Sequence, residues 1–241
     1  MLGFWNQAFH HGAWLQTTAF RPRSTGGRTK TAASSVHEVG VRLAGRAALA
    51  PLRLEYAVSV VNGRASRLSR VSTLQDENGA KGVHAWIGVT PLALPHLQVG
   101  GAAVFDTIPP APGSPGREAP LDERIWGGFV AYQGPRLELL AEAFDVRHRD
   151  DTAGLEWRSR GLYAQVAWTA GRLKPYYRYD RLRPDAGDPY FDATIEDVDK
   201  HTGGLRFDPW SRAALKLELS RSAPAGRSPF TSVAAQAAFT F

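Results

Sequence analysis

The chain has 241 residues, a formal net charge of +6 and no cysteine, which excludes a disulfide framework and any thiolate nucleophile or thiolate metal site. No apolar run approaches the roughly eighteen residues that a transmembrane helix needs, whereas a membrane barrel is compatible with a polar average because lipid-facing and lumen-facing residues alternate. The basic residues are scattered and no stacking motif accompanies them, so nucleic acid is not expected as a partner.

Residues 1–35 are the least regular part. Trp14, Gln16, Thr18 and Phe20 alternate with Ala13, Leu15, Thr17 and Ala19, which predicts one strand with neither face clearly apolar, and Arg21–Ser35 reads as a loop rich in Gly, Ser, Thr and Arg. The first residues, Met1 to Asn6, lack the basic region, apolar core and cleavage site of a secretory signal. A secreted or membrane reading therefore requires that a signal has been removed or that the chain belongs to a longer one.

From Val36 the alternation sharpens. Val39, Val41 and Leu43 share one face, opposite Glu38, Arg42 and Arg46; Leu52, Leu54, Tyr56, Val58 and Val60 then lie opposite Arg53, Glu55, Ala57 and Ser59. A long polar loop follows Asn62-Gly63. Val83, Ala85, Ile87 and Val89 lead through a tight Pro91–Pro95 turn to Leu97, Val99, Gly101, Ala103 and Phe105, and a Pro-rich loop comes next. Strands near Glu123–Gln133 and Arg136–Arg147 are joined by Gly134-Pro135 alone. After a polar loop to about Trp157, the faces Leu162–Trp168 and Leu173–Tyr179 flank the turn Ala170-Gly171-Arg172. A third long loop covers Arg183–Asp199, and Asp208-Pro209-Trp210 turns the chain into Leu215, Leu217 and Leu219, opposite Lys216, Glu218 and Ser220. The closing strand sets Val233, Ala235, Ala237, Phe239 and Phe241 against small or polar residues and ends in the aromatic manner of an outer-membrane barrel, where Phe239 and Phe241 would sit at the membrane interface and serve in assembly.

This pattern predicts an all-β fold, an antiparallel up-and-down transmembrane β-barrel of about twelve strands, each about ten residues long, with long and short connections in turn. A soluble sandwich would show no such rule in its connections and would use shorter strands. Residues 1–241 are taken as a single barrel domain, itself a whole barrel or a fragment of a larger one.

The polar faces would point inward. They carry Arg42, Arg46, Arg53, Lys174, Arg178, Arg206, Arg212 and Lys216, together with Glu38, Glu55, Glu138, Glu142, Asp180 and Glu218. Two readings stay open: the cations line a pore and favour anions, or the charges pair across strands and fill a small lumen. The Arg183–Asp199 loop holds Asp185, Asp188, Asp192, Glu196, Asp197 and Asp199, but no EF-hand spacing, and reads as a solvated outer loop. His10 and His11 are adjacent and would point to opposite faces of a strand, a poor chelate. The other histidines are isolated, and there is neither a Gly-x-Ser-x-Gly elbow nor an HExxH motif. No catalytic residue, metal site or cofactor is expected.

Several stretches are similar to the phosphate-selective porin O and P family of outer-membrane barrels: Tyr56–Gly63 at a strand end, Lys174–Asp180, His201–Phe207 with the Asp208-Pro209 turn, Leu215–Glu218, and the closing Phe239-Thr240-Phe241. The resemblance covers roughly residues 36–241 and matches the carboxy-terminal part of that family. It implies a porin-like channel in the outer membrane of a Gram-negative bacterium, often a homotrimer, passing small anions. Its partners would be outer-membrane lipid, the barrel-assembly machinery and small solutes. A non-conducting structural or surface-binding barrel and an outer-membrane enzyme are the alternatives.

Overall fold

In a computed structural model, residues 3–9, 12–25, 39–68, 79–191 and 195–240 are described. Eleven strands follow one another: β1 Gly40–Leu49, β2 Leu52–Val61, β3 Gly82–Pro91, β4 Leu97–Ile108, β5 Leu121–Gln133, β6 Leu137–Asp150, β7 Leu155–Trp168, β8 Leu173–Arg183, β9 Val198–Trp210, β10 Ala213–Pro224 and β11 Phe230–Phe239. They form one sheet in chain order, every pair antiparallel. Short turns (50–51, 92–96, 134–136, 169–172, 211–212) gather at one end. Loops 62–81, 109–120, 184–197 and 225–229 gather at the other, with the tight 151–154 connection among them. Among the described residues no ladder joins β1 to β11, so both are rims.

The faces of this sheet are the inverse of those of a water-soluble one. On β10 Leu215, Leu217 and Leu219 are exposed while Lys216, Glu218 and Ser220 between them are buried; Leu217 is 57% exposed and Glu218 2%. Val41, Ile87, Trp126, Val130, Val166, Phe207 and Val233 continue the exposed apolar face around the sheet. A strand alternates its side chains strictly, so the same period that puts leucines outside puts charges inside. Such an extended exposed apolar surface calls for a non-aqueous contact.

The amino-terminal segment departs from the sequence expectation. Ala13–Phe20 is not a strand; among the described residues the sheet has eleven strands, in line with the expected dozen or so. Helix α1, Phe4–Phe9, and, from residue 12, turns and a short 3-10 helix, Arg23–Thr25, lie against the inner face. Alternation without an apolar face gave this segment nothing to place against lipid, whereas its backbone groups find partners inside. His10, His11, residues 26–38 and Phe241 lie outside the described residues.

Two apolar clusters fill the inside. Phe4, Trp5 and Phe9 pack with Phe129, Leu140 and Tyr163; at the loop end Tyr190, Phe191 and Ile195 pack with Ile108, Leu121, Ile125 and Val146. The acidic loop is therefore folded inward at Tyr190, Phe191 and Ile195, and Asp188 is buried with them, while Asp185, Glu196, Asp197 and Asp199 stay partly exposed. Its carboxylates alone predict a solvated loop, but its three apolar side chains decide its position.

Inward aromatic rings lie over cross-strand glycines, Phe129 over Gly100 and Tyr176 over Gly204. A Cβ at Gly204 would collide with the Tyr176 ring, whereas at Gly203, on the outer face, it would meet nothing within 4 Å. Gly204→Val is expected to destabilise the fold by about 1–3 kcal/mol through overpacking, and Gly203→Val to leave it nearly unchanged, measured as paired denaturant midpoints.

Candidate solute pathway and its charged lining

The inner face of β5–β11 is occupied by residues 3–9 and 12–25, and the contacts are polar as much as apolar. Arg178, fully buried, uses its whole guanidinium. Its Nε donates to Asp180 at 2.9 Å, Nη1 to Thr18 Oγ1 at 2.9 Å and to the Phe20 carbonyl at 2.8 Å, and Nη2 to the Arg21 carbonyl at 3.4 Å. Asp180 in turn accepts the Arg23 backbone N–H at 2.9 Å. Lys216 Nζ donates to the carbonyls of Ala13 (2.5 Å) and Thr18 (3.0 Å) and to Gln236 Oε1 (2.9 Å), which matches its three protons with three acceptors. Arg206 reaches the carbonyls of Trp14 and Gln16 at 2.8 and 3.0 Å, pairs with Asp208 at 2.8 Å, and lies 5.0 Å from the Trp14 ring centroid.

Carboxylates complete the arrangement. Glu218 accepts the Ala19 N–H and the Tyr176 hydroxyl, Glu142 accepts the Trp5 N–H and the Tyr163 hydroxyl, and Glu138 accepts from Thr17, Gln165 and Lys174. Buried charge is costly unless paired and hydrogen-bonded throughout. These groups meet that condition only while the amino-terminal segment is in place.

The eight sequence-predicted cations thus separate into three sets. Lys174, Arg178, Arg206 and Lys216 lie on the inner face, and the last three converge on residues 13–21. Arg42, Arg46 and Arg53 share the inner-face register of β1 and β2, apart from the first set, and are exposed. Arg42 donates to Gln7 at 3.0 Å and Arg46 pairs with Glu55 at 2.9 Å. Arg212 stands in the 211–212 turn, exposed, and belongs to no strand face. Phe239 is exposed on the outer face at the turn end of β11.

Both mouths are shaped. At the turn end a cavity of about 330 Å³ is lined by Trp14, Glu138, Lys174, Arg206 and Asp208 among others. At the loop end a buried network ties three loops to the wall. Arg64 pairs with Glu123 at 2.5 Å, His148 Nδ1 lies 2.7 Å from Asp188, and Asp188 caps the N–H groups of Tyr190 and Phe191. The Tyr190 ring is flanked by the guanidiniums of Arg64 and Arg117, 5.6 and 5.1 Å from its centroid. Burial pushes the Tyr190 phenol up from its ordinary range.

Sequence reading treated His148 as isolated. The Gly134-Pro135 turn would have placed it, because residues equidistant from that turn face each other and Glu123 is its cross-strand neighbour. No comparable signal marked Trp14 or the 13–21 carbonyls, which act through backbone.

No family model matches the chain, and no curated protein matches it in sequence. Solved structures do. The chain is similar to a porin, with a TM-score of 0.52 and 12% identity over 84% of this chain and 62% of that one. It is also similar to the outer membrane channel DcaP of Acinetobacter baumannii, with a TM-score of 0.57 and 12% identity over 83% of this chain and 62% of that one. Each covers less than two thirds of the longer structure. The fold is that of a porin wall, an antiparallel up-and-down β-barrel architecture; neither likeness singles out the phosphate-selective O and P family.

Arg178→Ala would leave Asp180 buried without its cation, and two backbone carbonyls and the Thr18 hydroxyl without a donor. Hydrogen exchange read by mass spectrometry is expected to show residues 3–25 losing protection while β2–β7 keep theirs, with a stability loss of about 3–5 kcal/mol. Arg178→Lys is expected to fall between, because a lysine keeps the charge and loses the fork.

Proposed function

We propose that the chain forms the wall of a porin-like channel in the outer membrane of a Gram-negative bacterium, with passive diffusion of small anionic solutes along its inner face. The observation that carries this reading is the inversion of the sheet, apolar residues exposed and charged residues buried along strands of 10 to 14 residues. Strands of that length cross a bilayer when tilted, and a charged interior is what a solute path needs. The likeness to a porin and to an outer membrane channel agrees with it.

On this reading the path does not follow the β5–β11 wall, which residues 3–9 and 12–25 cover. It follows the inner face of β1 and β2, where Arg42, Arg46 and Arg53 are exposed. Guanidinium groups there would draw anions and orient phosphate or carboxylate by paired N–H donors. Lipid would surround the outer face, and Phe239 would sit at the interface on the turn side. A second reading, a non-conducting barrel, is favoured by one observation: Arg178, Arg206 and Lys216 already spend their donors on the chain's own carbonyls.

Purified protein in planar bilayers is expected to give discrete current steps; a membrane-inserted protein that gives none would establish the non-conducting reading. In a salt gradient the reversal potential is expected to indicate anion preference and to move toward cations in Arg42→Glu/Arg46→Glu/Arg53→Glu. An unmoved potential would remove β1 and β2 from the path.

A further inference from the structure

The outer face carries a group of arginines that a solute path does not use. Arg124, Arg147 and Arg158 are direct lateral neighbours on β5, β6 and β7. One pleat toward the turns, Trp126, Asp145, Arg160 and Arg183 form the next row. Arg181 pairs across to Leu162 below it. All six arginines lie at the loop ends of their strands, on the parity of the exposed apolar residues.

Like charges set directly opposite on antiparallel strands repel, and the carboxylates here are too few to cancel them. Asp145 alone serves Arg147, Arg158 and Arg160, at 3.1, 2.6 and 3.3 Å. Asp122 serves Arg124 at 3.0 Å, while Asp197 and Asp199 serve Arg183, with Asp199 4.0 Å from Arg181. Six guanidiniums thus share four carboxylates, and the side chains of Arg124, Arg160 and Arg181 remain 50% or more exposed.

Beneath the arginines is a groove of about 650 Å³ on the same outer face. Gly128 and Ala143 open it, Trp126 and Leu162 wall it, and Arg160 and Arg183 stand at its loop-side end. Trp126 packs edge-to-face on Phe105 at 5.4 Å, an outward aromatic pair at the level where an interfacial girdle lies. An apolar trough under a cationic shelf, at the boundary between hydrocarbon and headgroups, matches an amphiphile and not a free ion. Guanidinium forks bind phosphate bidentately, and arginine stems can follow the apolar wall while their heads reach the polar layer.

We propose that this shelf and groove bind one membrane lipid whose phosphate sits close to its acyl chains, the phosphate on Arg160 and Arg181, which both line the groove and keep their forks largely free, and a chain along Gly128 and Ala143. The site rests on the outer-membrane reading of the sheet. It gives the β5–β8 side of the barrel a fixed lipid contact on the face where the long loops emerge.

The test uses the full chain. Its flotation with phosphatidylcholine vesicles is scored first, then lipid retention is measured by native mass spectrometry from detergent with diphosphorylated lipid A as the probe. Expected are flotation, retention of one lipid A, and no displacement by millimolar inorganic phosphate. Arg160→Gln/Arg181→Gln is expected to weaken retention by about tenfold or more, the loss of two charge-assisted forks. Gly128→Leu, which fills the groove without touching charge, is expected to weaken it too, and Arg221→Gln, outward on β10 away from the patch, to leave it unchanged. A protein that floats but retains lipid A no better than phosphatidylcholine, or equally in both patch variants, overturns the lipid site and leaves the barrel standing. Displacement by inorganic phosphate overturns the lipid in favour of a bare anion site. A protein that does not float overturns the membrane reading and the site together.

Discussion

Everything in this molecule depends on the strict two-residue period of the extended backbone. Once Leu215, Leu217 and Leu219 face out, Lys216, Glu218 and Ser220 must face in. The same alternation, carried laterally by the ladders, sorts every arginine of the sheet into one of two populations. Inward ones on β8 and β9, Arg178 and Arg206, are desolvated and must be matched by acceptors, whereas Arg42, Arg46 and Arg53 on β1 and β2 stay exposed. Outward ones stay at the loop ends, where their heads can leave the apolar band. A slip of one residue in any ladder would exchange these populations and put charge against lipid.

The interior shows how a sheet can hold buried charge without a partner sheet. The amino-terminal stretch contributes few charged side chains to the inside; it contributes carbonyls and N–H groups. Arg178, Arg206 and Lys216 are held by backbone oxygens, Glu142 and Glu218 by backbone N–H groups. A backbone that is neither helix nor strand has such groups to spare, which is why an irregular segment, and not a twelfth strand, suits this position. The loop end works differently. There Arg64, Glu123, His148 and Asp188 pair side chain to side chain, and Tyr190 and Phe191 supply the apolar cover.

Most strands were legible because their outer faces had to be apolar over eight residues or more, and because turns such as Gly134-Pro135 end them sharply. The inward parity of Arg42, Arg178 and Lys216 followed from the same alternation. What could not be read was what those side chains meet. Backbone acceptors leave no mark in a sequence, so Ala13 to Phe20 resembles a weak strand. The acids of residues 183–199, with no EF-hand spacing among them, predict a solvated loop; burial of Tyr190, Phe191 and Ile195 overrides that in the fold. Arg212 was assigned to a face from its neighbours' alternation, which stops one residue short of it at the turn. The outward arginines went unremarked because only the lateral registers bring Arg124, Arg147 and Arg158 into one row.

The two rims have a consequence of their own. In a meander each strand reverses the direction of the one before, and eleven is odd. β1 and β11 therefore run the same way. They cannot be zipped to each other by the antiparallel ladder that joins every other pair in the sheet; direct contact would have to be parallel. An all-antiparallel cylinder containing these eleven strands has an odd number of others standing between Val41 and Val233, whatever chain they come from.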